Sequence, residues 1–368
     1  MKRILLIGNN DGGLYLFRIE LIEELISLGY EVHFTVPYGE KVPLLIDCGA
    51  IYHQIDMNRR GMNIKEDFIL MCNYRKLFKM VKPQVILTYT IKPNIYAGLV
   101  AKVLRIPCIA TITGLGTSMQ GQGKKTNFIK ILYKYGLKGA SYIFFQNEEN
   151  KNFFINNKLI EAGKALRVNG SGVNTEKFRP KRCKHDGINI LYISRIMKDK
   201  GIREYLEAAR VLKPTYNFVN FQILGFYDEE ILKNQINDLV SEGSVSYLGV
   251  SLDTRIEMEE ADCIVLPSYH EGMSNVLLEG AAFGLPLITS NIHGCKEAVD
   301  EGVTGFLCEP RDAQSLIESI KSFLLLAPES RKKMGDAGRE KMIKEFDRKL
   351  VVTSYINVIQ NMLSQQGK

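Results

Sequence analysis

The sequence has no hydrophobic run long enough to cross a membrane, since no stretch of about 18 uncharged apolar residues occurs in its 368 residues. Its apolar first residues, 1–8, are too few for a signal peptide, and no small-residue cleavage site follows them. We therefore expect them to form a buried strand. The seven cysteines are scattered without C-x-x-C spacing, which is typical of free thiols in a reducing compartment. These absences predict a cytoplasmic protein without structural disulfides.

Motifs of several enzyme classes are missing as well. The chain has no G-x-S-x-G elbow, no P-loop and no cluster of Cys and His residues, which argues against hydrolases, kinases and metalloenzymes. It has no Asp-x-Asp pair, so a Mg²⁺ or Mn²⁺ site for a diphosphate is not expected. We predict neither a metal nor a cofactor.

Acidic residues are absent from residues 68–147, which carry 12 Lys and Arg residues. Residues 1–180 contain 25 basic and 14 acidic residues, whereas the rest of the chain contains 23 and 27. A solvated basic face is one interpretation, and an anionic partner (phosphates, anionic lipid or nucleic acid) is the other. The length of the acid-free stretch favours the anionic partner. No nucleic-acid-binding motif is present, so we do not expect nucleic acid to be that partner.

Apolar strands alternate with amphipathic helices along the whole chain. A polar, proline-containing segment at 180–187 separates the first series from a second that begins at Ile188. Uninterrupted apolar strands are buried on both faces, which is typical of parallel sheets built from βαβ units. A chain of this length is expected to form two domains. We predict an α/β fold with Rossmann-like domains at 1–180 and 181–345 that face a cleft, and a C-terminal helix in 346–368.

The first strand is followed by the loop G-N-N-D-G-G at 8–13. A dinucleotide-binding fingerprint would read G-x-G-x-x-G, but Asn10 stands where the second glycine is needed, and no carboxylate follows the second strand. Gly12 and Gly13 at a helix N-terminus suit close contact with a phosphate or sugar. They equally suit a tight turn that needs a positive φ.

Two cations follow the first strand of the second series. Arg195 stands just after the strand, and Lys200 stands just before the next helix. Ligands of open α/β sheets bind beyond the carboxyl ends of the strands, so both cations should face the binding site. An arginine fork and a lysine ammonium can together stabilise the charge that develops on a nucleoside-diphosphate leaving group. Elsewhere Mg²⁺ performs that task.

The segment S-Y-H-E-G-M-S-N-V-L-L-E-G at 268–280 is the most informative in the sequence. Ser274 or Asn275 can cap a helix, which places Glu271 in the preceding loop and Glu279 about one turn inside the helix. The intervening amides then point outward at a positive helix terminus, as a diphosphate or sugar requires. The front carboxylate can accept hydrogen bonds from sugar hydroxyls and the inner one from a ribose. The alternative is that one glutamate lies on the surface and the other caps the helix. The strand–loop–helix context favours ligand binding instead.

Taken together, these segments resemble glycosyltransferase family 4, which has the GT-B fold. The resemblance rests on the E-x₇-E pattern of Glu271 and Glu279 and on the S-R-x₄-K-G pattern at 194–201, and it extends over nearly the whole chain. No single motif is specific to the family, but the combination is. Within the family, T-G-L-G at 113–116 and F-Q-N at 145–147 resemble bacterial enzymes that extend undecaprenyl-diphosphate-linked sugars or build capsule and O-antigen, N-acetylgalactosaminyltransferases among them.

The resemblance implies a retaining glycosyltransferase with a nucleotide-diphosphate sugar donor, and we expect UDP as the carrier. It also implies that the last helix crosses back onto the first domain. Glu271, Arg195 and Lys200 are the implied catalytic residues, and Glu279 would bind the ribose. The implied donor-binding residues are Gly12, Gly13, Arg195, Lys200, Gly249, Val250, Glu271, Gly272, Met273, Ser274, Asn275, Val276 and Glu279.

One departure from the family pattern concerns a histidine that many members carry after a strand of the first domain, near the donor sugar. This chain reads A-T-I-T-G at 110–114, so we expect Thr113 or the backbone near Gly114 to fill that space. Retention without a clear enzyme nucleophile implies attack from the front face of the sugar. The departing phosphate oxygen would then take the acceptor's proton.

Residues 120–139 carry five lysines interleaved with apolar residues and can form one basic amphipathic helix. Lys130, Lys134 and Lys138 share a stripe at four-residue spacing. Such a helix can lie on an anionic membrane surface, or it can be an ordinary packed helix with a lysine-rich solvent face. The acid-free stretch favours contact with the inner face of the cell membrane and a diphosphate-linked lipid acceptor. The predicted acceptor-binding residues are Thr113, Gly114, Lys124 and Lys125.

The sequence thus predicts a retaining, metal-independent glycosyltransferase. It would move a hexose or N-acetylhexosamine from a UDP-sugar to an undecaprenyl-diphosphate-linked saccharide in bacterial surface glycan assembly. Two alternatives remain, a GT-B epimerase acting on a UDP-N-acetylhexosamine and a non-catalytic nucleotide-sugar binding protein. The epimerase should show acidic general bases and a different pattern of binding-site residues, which the sequence does not contain.

Overall fold

The structure is a computed structural model, and it describes residues 1–58, 63–114, 119, 123–181 and 185–365, with the backbone alone for Lys124 and Lys125. The chain divides into two compact units, which we call unit 1 (Met1–Ser171 and Lys349–Lys368) and unit 2 (Gly172–Arg348). Within the described ranges, no helix combines the length and the apolar character that crossing a membrane requires.

Unit 1 is built on a seven-stranded parallel sheet with the strand order β3-β2-β1-β4-β5-β6-β7. Its strands are β1 (Arg3–Ile7), β2 (Glu31–Thr35), β3 (Ile51–Tyr52), β4 (Val85–Tyr89), β5 (Cys108–Ile112), β6 (Tyr142–Phe145) and β7 (Ala165–Arg167). Its helices are α1 (Asp11–Ser27), α2 (Val42–Asp47), α3 (Ile64–Val81), α4 (Gly98–Leu104), α5 (Lys124–Leu137) and α6 (Glu148–Asn156), and a π-helical turn (Pro93–Ala97) leads into α4.

Helices cover both faces of this sheet, as the side chains of β1 illustrate. Leu5 and Ile7 belong to a core on the side of α3, α4 and α5, whereas Ile4 and Leu6 belong to a second core on the side of α1. All four side chains are fully buried. Alternate residues of a strand point to opposite faces, so a strand covered on both sides must be apolar throughout.

Unit 2 is built on a six-stranded parallel sheet with the order β10-β9-β8-β11-β12-β13. Its strands are β8 (Ile188–Ile193), β9 (Val219–Leu224), β10 (Ser246–Gly249), β11 (Cys263–Leu266), β12 (Leu287–Ser290) and β13 (Gly305–Cys308). Its helices are α7 (Ile202–Leu212), α8 (Ile231–Ser241), α9 (Arg255–Glu259), α10 (Asn275–Ala282), α11 (Ala313–Leu324) and α12 (Pro328–Lys341), with a π-helical turn at Met342–Phe346. The prediction of two Rossmann-like parallel-sheet domains is confirmed.

The last helix, α13 (Arg348–Gln365), belongs to unit 1 from Lys349 onward, as the predicted crossing back requires. Tyr355 is buried in the core on the side of α1, and its hydroxyl lies 2.7 Å from Thr111 Oγ1. The predicted first boundary, after residue 180, falls later than the observed one. The reason is that Val173 exchanges backbone hydrogen bonds with the end of unit 2, donating to Phe346 O and accepting from Arg348 N, both at 2.9 Å.

Candidate active site

The strand order of unit 2 places two loops side by side at its centre. β8 is the first strand of the unit, and β9 lies on one side of it while β11 lies on the other. The chain therefore winds in opposite directions from the gap between β8 and β11. Crevices outside the carboxyl ends of such a pair of strands are where open α/β sheets bind ligands. The loops that follow β8 and β11 hold the two predicted charged motifs.

Backbone contacts hold these two loops together. The Tyr269 amide donates to Asp199 O at 2.9 Å, and Ser268 Oγ donates to the same oxygen at 3.2 Å. Gly201 has a φ of 71°, and a Cβ at this position would lie 2.0 Å from Pro267 O. Only glycine allows both this left-handed conformation and so close an approach. The loops are therefore fixed relative to each other by backbone geometry.

This geometry brings together two of the predicted catalytic residues, Lys200 and Glu271. The Lys200 ammonium lies 2.5 Å from Glu271 Oε1, and the two side chains are 16% and 14% exposed. Removing either partner would leave the other charge largely out of water and unpaired. The pair therefore forms a pre-positioned cation and carboxylate at the switch between the two halves of the sheet.

Arg195 follows β8 directly, as predicted, and remains 44% exposed. Its Nη1 atom lies 2.9 Å from Asp228 Oδ2, on the loop after β9. The sequence analysis did not identify Asp228, because the contact depends on β9 being the neighbour of β8. An exposed ion pair is weak, so the guanidinium can exchange this carboxylate for another anion.

Helix α10 begins at Asn275 with Ser274 as its N-cap, as predicted. The sequence predicts that the Ser274 amide donates to the ligand. In the structure this amide donates instead to Gly294 O at 2.8 Å. Met273 packs into the core of unit 2. Among the described residues, Asn275 Oδ1 at the same helix end is buried and has no hydrogen-bond partner. The backbone amides at the start of α10 form the positive end of its helix dipole.

Glu279 lies on the second turn of α10 and is partly buried. Burial raises its pKa to about 7, and the nearby Arg348 and Lys177 oppose this rise. A carboxyl with such a pKa changes its charge near neutral pH. Glu279 can therefore accept hydrogen bonds from a diol most strongly above that pH.

The loop after β11 is supported by residues that the sequence analysis missed. Gly294, with a φ of 88°, lies directly against Glu271, since a Cβ on Gly294 would be 2.6 Å from Glu271 O. The Gly294 amide donates to Glu297 Oε2 at 2.7 Å. On the other side, the Tyr269 hydroxyl donates to Glu204 Oε1 at 2.6 Å. The sequence shows a tyrosine two residues before Glu271. It does not show that Glu204 on α7 is the partner of this tyrosine, because that contact depends on the fold.

Of the predicted donor-binding residues Gly249 and Val250, the first is the last residue of β10 and the second follows it. Gly249 O accepts a hydrogen bond from the Gly225 amide at 2.8 Å, which joins this loop to the one after β9. Val250 is 62% exposed. The strand-end loops after β8, β9 and β10 thus form a continuous row in unit 2.

Unit 1 holds the remaining predicted site residues. Gly12 and Gly13 are the second and third residues of α1, and the Gly13 amide donates to Asn10 Oδ1 at 2.5 Å. Asn10 therefore caps the helix, and neither glycine has a positive φ. Thr113 and Gly114 follow β5 and are partly buried. The side chains of the predicted acceptor ligands Lys124 and Lys125 lie outside the described residues.

Each of the two units matches a known protein family. Residues 173–341 match the family described as glycosyl transferases group 1, and residues 3–147 match the family described as glycosyl transferase 4-like. The chain belongs to the glycosyltransferases. This result confirms the resemblance to family 4.

Relatives of this glycosyltransferase include two enzymes of known substrates. The chain is 29% identical, over 98% of its own length and 99% of the relative, to the N,N'-diacetylbacillosaminyl-diphospho-undecaprenol alpha-1,3-N-acetylgalactosaminyltransferase of Campylobacter jejuni. It is 26% identical, over 71% of each chain, to the UDP-Gal:alpha-D-GlcNAc-diphosphoundecaprenol alpha-1,3-galactosyltransferase of Escherichia coli. Among solved structures, Anabaena HepE in complex with UDP and glucose superposes with a TM-score of 0.82 at 16% identity, covering 98% of this chain and all (100%) of that one. The last likeness concerns the fold.

Proposed function

We propose that this glycosyltransferase moves a hexose or N-acetylhexosamine from a UDP-sugar to an undecaprenyl-diphosphate-linked saccharide, with retention at the anomeric carbon and without a metal ion. The product would be an intermediate of bacterial surface glycan assembly. Two relatives are named for transfer to diphospho-undecaprenol-linked sugars, and a third is named for capsular polysaccharide biosynthesis. These names favour a transferase over an epimerase or a non-catalytic binding protein.

The observation that carries this proposal is the ion pair between Lys200 and Glu271. It joins the loops after β8 and β11, where the sheet topology of unit 2 predicts a ligand. A diphosphate-sugar needs a cation for its phosphates and an acceptor for its sugar hydroxyls. This pair supplies both groups within 2.5 Å of each other.

In the proposed reaction, Lys200 and Arg195 hold the diphosphate. As the bond between the anomeric carbon and the phosphate oxygen breaks, negative charge develops on the diphosphate, and the two cations stabilise it. Arg195 would leave Asp228 to do so. Glu271 would orient the sugar by accepting hydrogen bonds from its hydroxyls. The acceptor hydroxyl attacks from the side of the leaving group, and the departing phosphate oxygen takes its proton.

We assign the acceptor to unit 1 and place the protein on the inner face of the cell membrane. Lys134 on α5 and Lys138 directly after it are exposed, as are the apolar side chains Phe128, Ile131 and Tyr135 of α5. These apolar residues recur at three and four positions and therefore share one face. A helix face that combines exposed apolar groups with lysines suits the surface of an anionic membrane.

The test is transfer to a defined acceptor. The purified full chain is incubated with a panel of UDP-sugars and a synthetic lipid-diphosphate-linked N-acetylhexosamine, and mass spectrometry detects the product. We expect one UDP-sugar to add one residue, nuclear magnetic resonance to show the donor's anomeric configuration, and EDTA to leave the rate unchanged. Inversion would refute the proposed stereochemistry, and loss of activity with EDTA would refute metal independence. Epimerisation or hydrolysis of the donor without transfer would refute the transferase assignment.

A further inference from the structure

The loop after β9 carries an aromatic ring that the core of unit 2 does not use. Phe226 lies two residues beyond the end of β9, and its side chain is 49% exposed. The next residue, Tyr227, packs instead against the core, with its ring centroid 5.1 Å from that of Tyr247. Consecutive residues of an extended segment point to opposite sides. The Phe226 ring therefore points away from the core.

Backbone hydrogen bonds fix the position of Phe226 within the row of strand-end loops. Its carbonyl accepts from the Ile196 amide at 2.8 Å, directly after Arg195. The preceding residue, Gly225, donates to Gly249 O at 2.8 Å. Phe226 thus lies between the loop that carries the proposed diphosphate-binding arginine and the end of β10, which Val250 follows.

The surroundings of Phe226 at this edge of unit 2 are also apolar and exposed. Val250 and Leu252, on the loop after β10, are 62% and 94% exposed. Scattered exposed apolar residues are ordinary, but three on two adjoining loops beside a proposed diphosphate site suggest a ligand with an apolar face. A nucleotide base has such a face and is attached to the diphosphate through its ribose.

We infer that the Phe226 ring stacks on the base of the donor nucleotide. This inference rests on the proposed function, which places a UDP-sugar on unit 2. Stacking depends on the π-face that every base offers, so Phe226 would add affinity without selecting uracil over other bases. Selection would fall to the polar groups of the loop after β10.

The chain contains no tryptophan, which allows a direct test. Phe226→Trp places a single indole at the proposed stacking position. Phe218→Trp is the matched control, because Phe218 precedes the opposite end of β9 and is also 49% exposed. We expect UDP and UMP to quench the fluorescence of the first variant and not of the second. Pyrophosphate, which has no base, should quench neither.

A second measurement does not depend on the indole. Calorimetry should show that Phe226→Ala weakens UDP binding about tenfold, as expected for loss of one stacked base, and leaves pyrophosphate binding unchanged. Phe226→Tyr should restore the affinity, whereas Phe226→Leu should not. If the wild-type chain binds UDP and neither quenching nor weakening occurs, the stacking inference is wrong and the transferase proposal stands. If the wild-type chain binds no UDP, both are wrong.

Discussion

The six strands of unit 2 have the same order as the first six strands of unit 1, and each unit has a largely buried lysine–carboxylate pair near its central strands. The two pairs have different surroundings. In unit 1, Lys92 follows β4 and lies 2.8 Å from Asp67 Oδ1, and the Tyr96 hydroxyl donates to Asp67 Oδ2 at 2.8 Å. Both oxygens of that carboxylate are engaged, and the pair ties α3 to the π-helical turn. In unit 2, the Lys200–Glu271 pair joins two strand-end loops through one oxygen.

The comparison teaches that burial alone does not distinguish a structural ion pair from a functional one. The side chains of Lys92 and Asp67 are 12% and 9% exposed, close to the values for Lys200 and Glu271. The difference lies in what each pair connects. The pair in unit 1 anchors a helix and is expected to contribute to stability, whereas the pair in unit 2 spans the proposed donor-binding loops and would be available to a substrate. Matched amide substitutions separate these roles.

The largest effect is expected from Glu271→Gln. The amide keeps an oxygen for Lys200 but removes its counter-ion, so some loss of stability is expected, as for any break of a buried pair, whereas the weaker acceptor should slow sugar transfer per folded molecule at least about 100-fold. Transfer is measured by mass spectrometry of the lipid-linked product, and stability by thermal unfolding. A transfer rate near that of the wild type would contradict the assignment of Glu271.

Asp67→Asn is the counterpart in unit 1. Here the amide cannot satisfy both partners as an anion does, and it leaves the Lys92 ammonium without a counter-ion. We expect a loss of about 3 kcal/mol in the free energy of unfolding, measured by urea denaturation. Activity per folded molecule should be unchanged. If this variant loses transfer while keeping its stability, the proposed division between the two pairs fails.

Glu279→Gln should separate stability from donor binding in a pH-dependent way. The folded-state pKa of Glu279, about 7, is above its ordinary value of 4.5. Between these values the folded chain keeps a proton that the unfolded chain has lost, so the stability of the wild type falls as the pH rises through this window. The variant should be more stable than the wild type by about 3 kcal/mol at pH 8 and equally stable near pH 4.

The same variant should bind UDP more weakly at pH 8, since a carboxylate accepts hydrogen bonds from ribose hydroxyls better than an amide does. Thermal unfolding and calorimetry at both pH values provide the measurements. Higher stability together with unchanged UDP affinity would remove Glu279 from the donor site.

The smallest effect is expected on the surface of unit 1. Lys134→Gln with Lys138→Gln should weaken binding to vesicles that contain phosphatidylglycerol by up to about 30-fold, because each lysine near an anionic surface contributes about 1 kcal/mol. Lys332→Gln with Lys333→Gln, which removes equal charge from exposed positions of unit 2, is the control. Equal binding of both double variants and the wild type would contradict the proposed membrane contact. Lys130 is left intact because it donates to Asn157 Oδ1 at 3.0 Å.

Central strands could be predicted from the sequence because their apolar runs are uninterrupted. β8 begins at Ile188, where the sequence predicts the second series to begin. The edge strands β3 and β7 were missed because they have two and three residues, none of them buried. Such short segments carry no periodic signal.

The residues of the candidate site also divide into those that could be predicted from the sequence and those that could not. Lys200 and Glu271 could be placed in neighbouring loops because each follows a recognisable strand. Asp228 and Gly294 could not, since their contacts depend on which strands are neighbours in the folded sheet and on a left-handed backbone. The hydrogen bond from the Ser274 amide to Gly294 O could not be predicted for the same reason.

The membership of α13 in unit 1 has a consequence for synthesis of the chain. Unit 2 is one continuous stretch, Gly172–Arg348, whereas unit 1 needs residues from both ends of the polypeptide. As the chain leaves the ribosome, the sheet of unit 1 emerges first but lacks Tyr355 and Ile359, which complete its core on the side of α1. The first unit to be made is therefore the last to be finished. A nascent chain that stops before α13 would present an uncovered apolar face to chaperones and proteases.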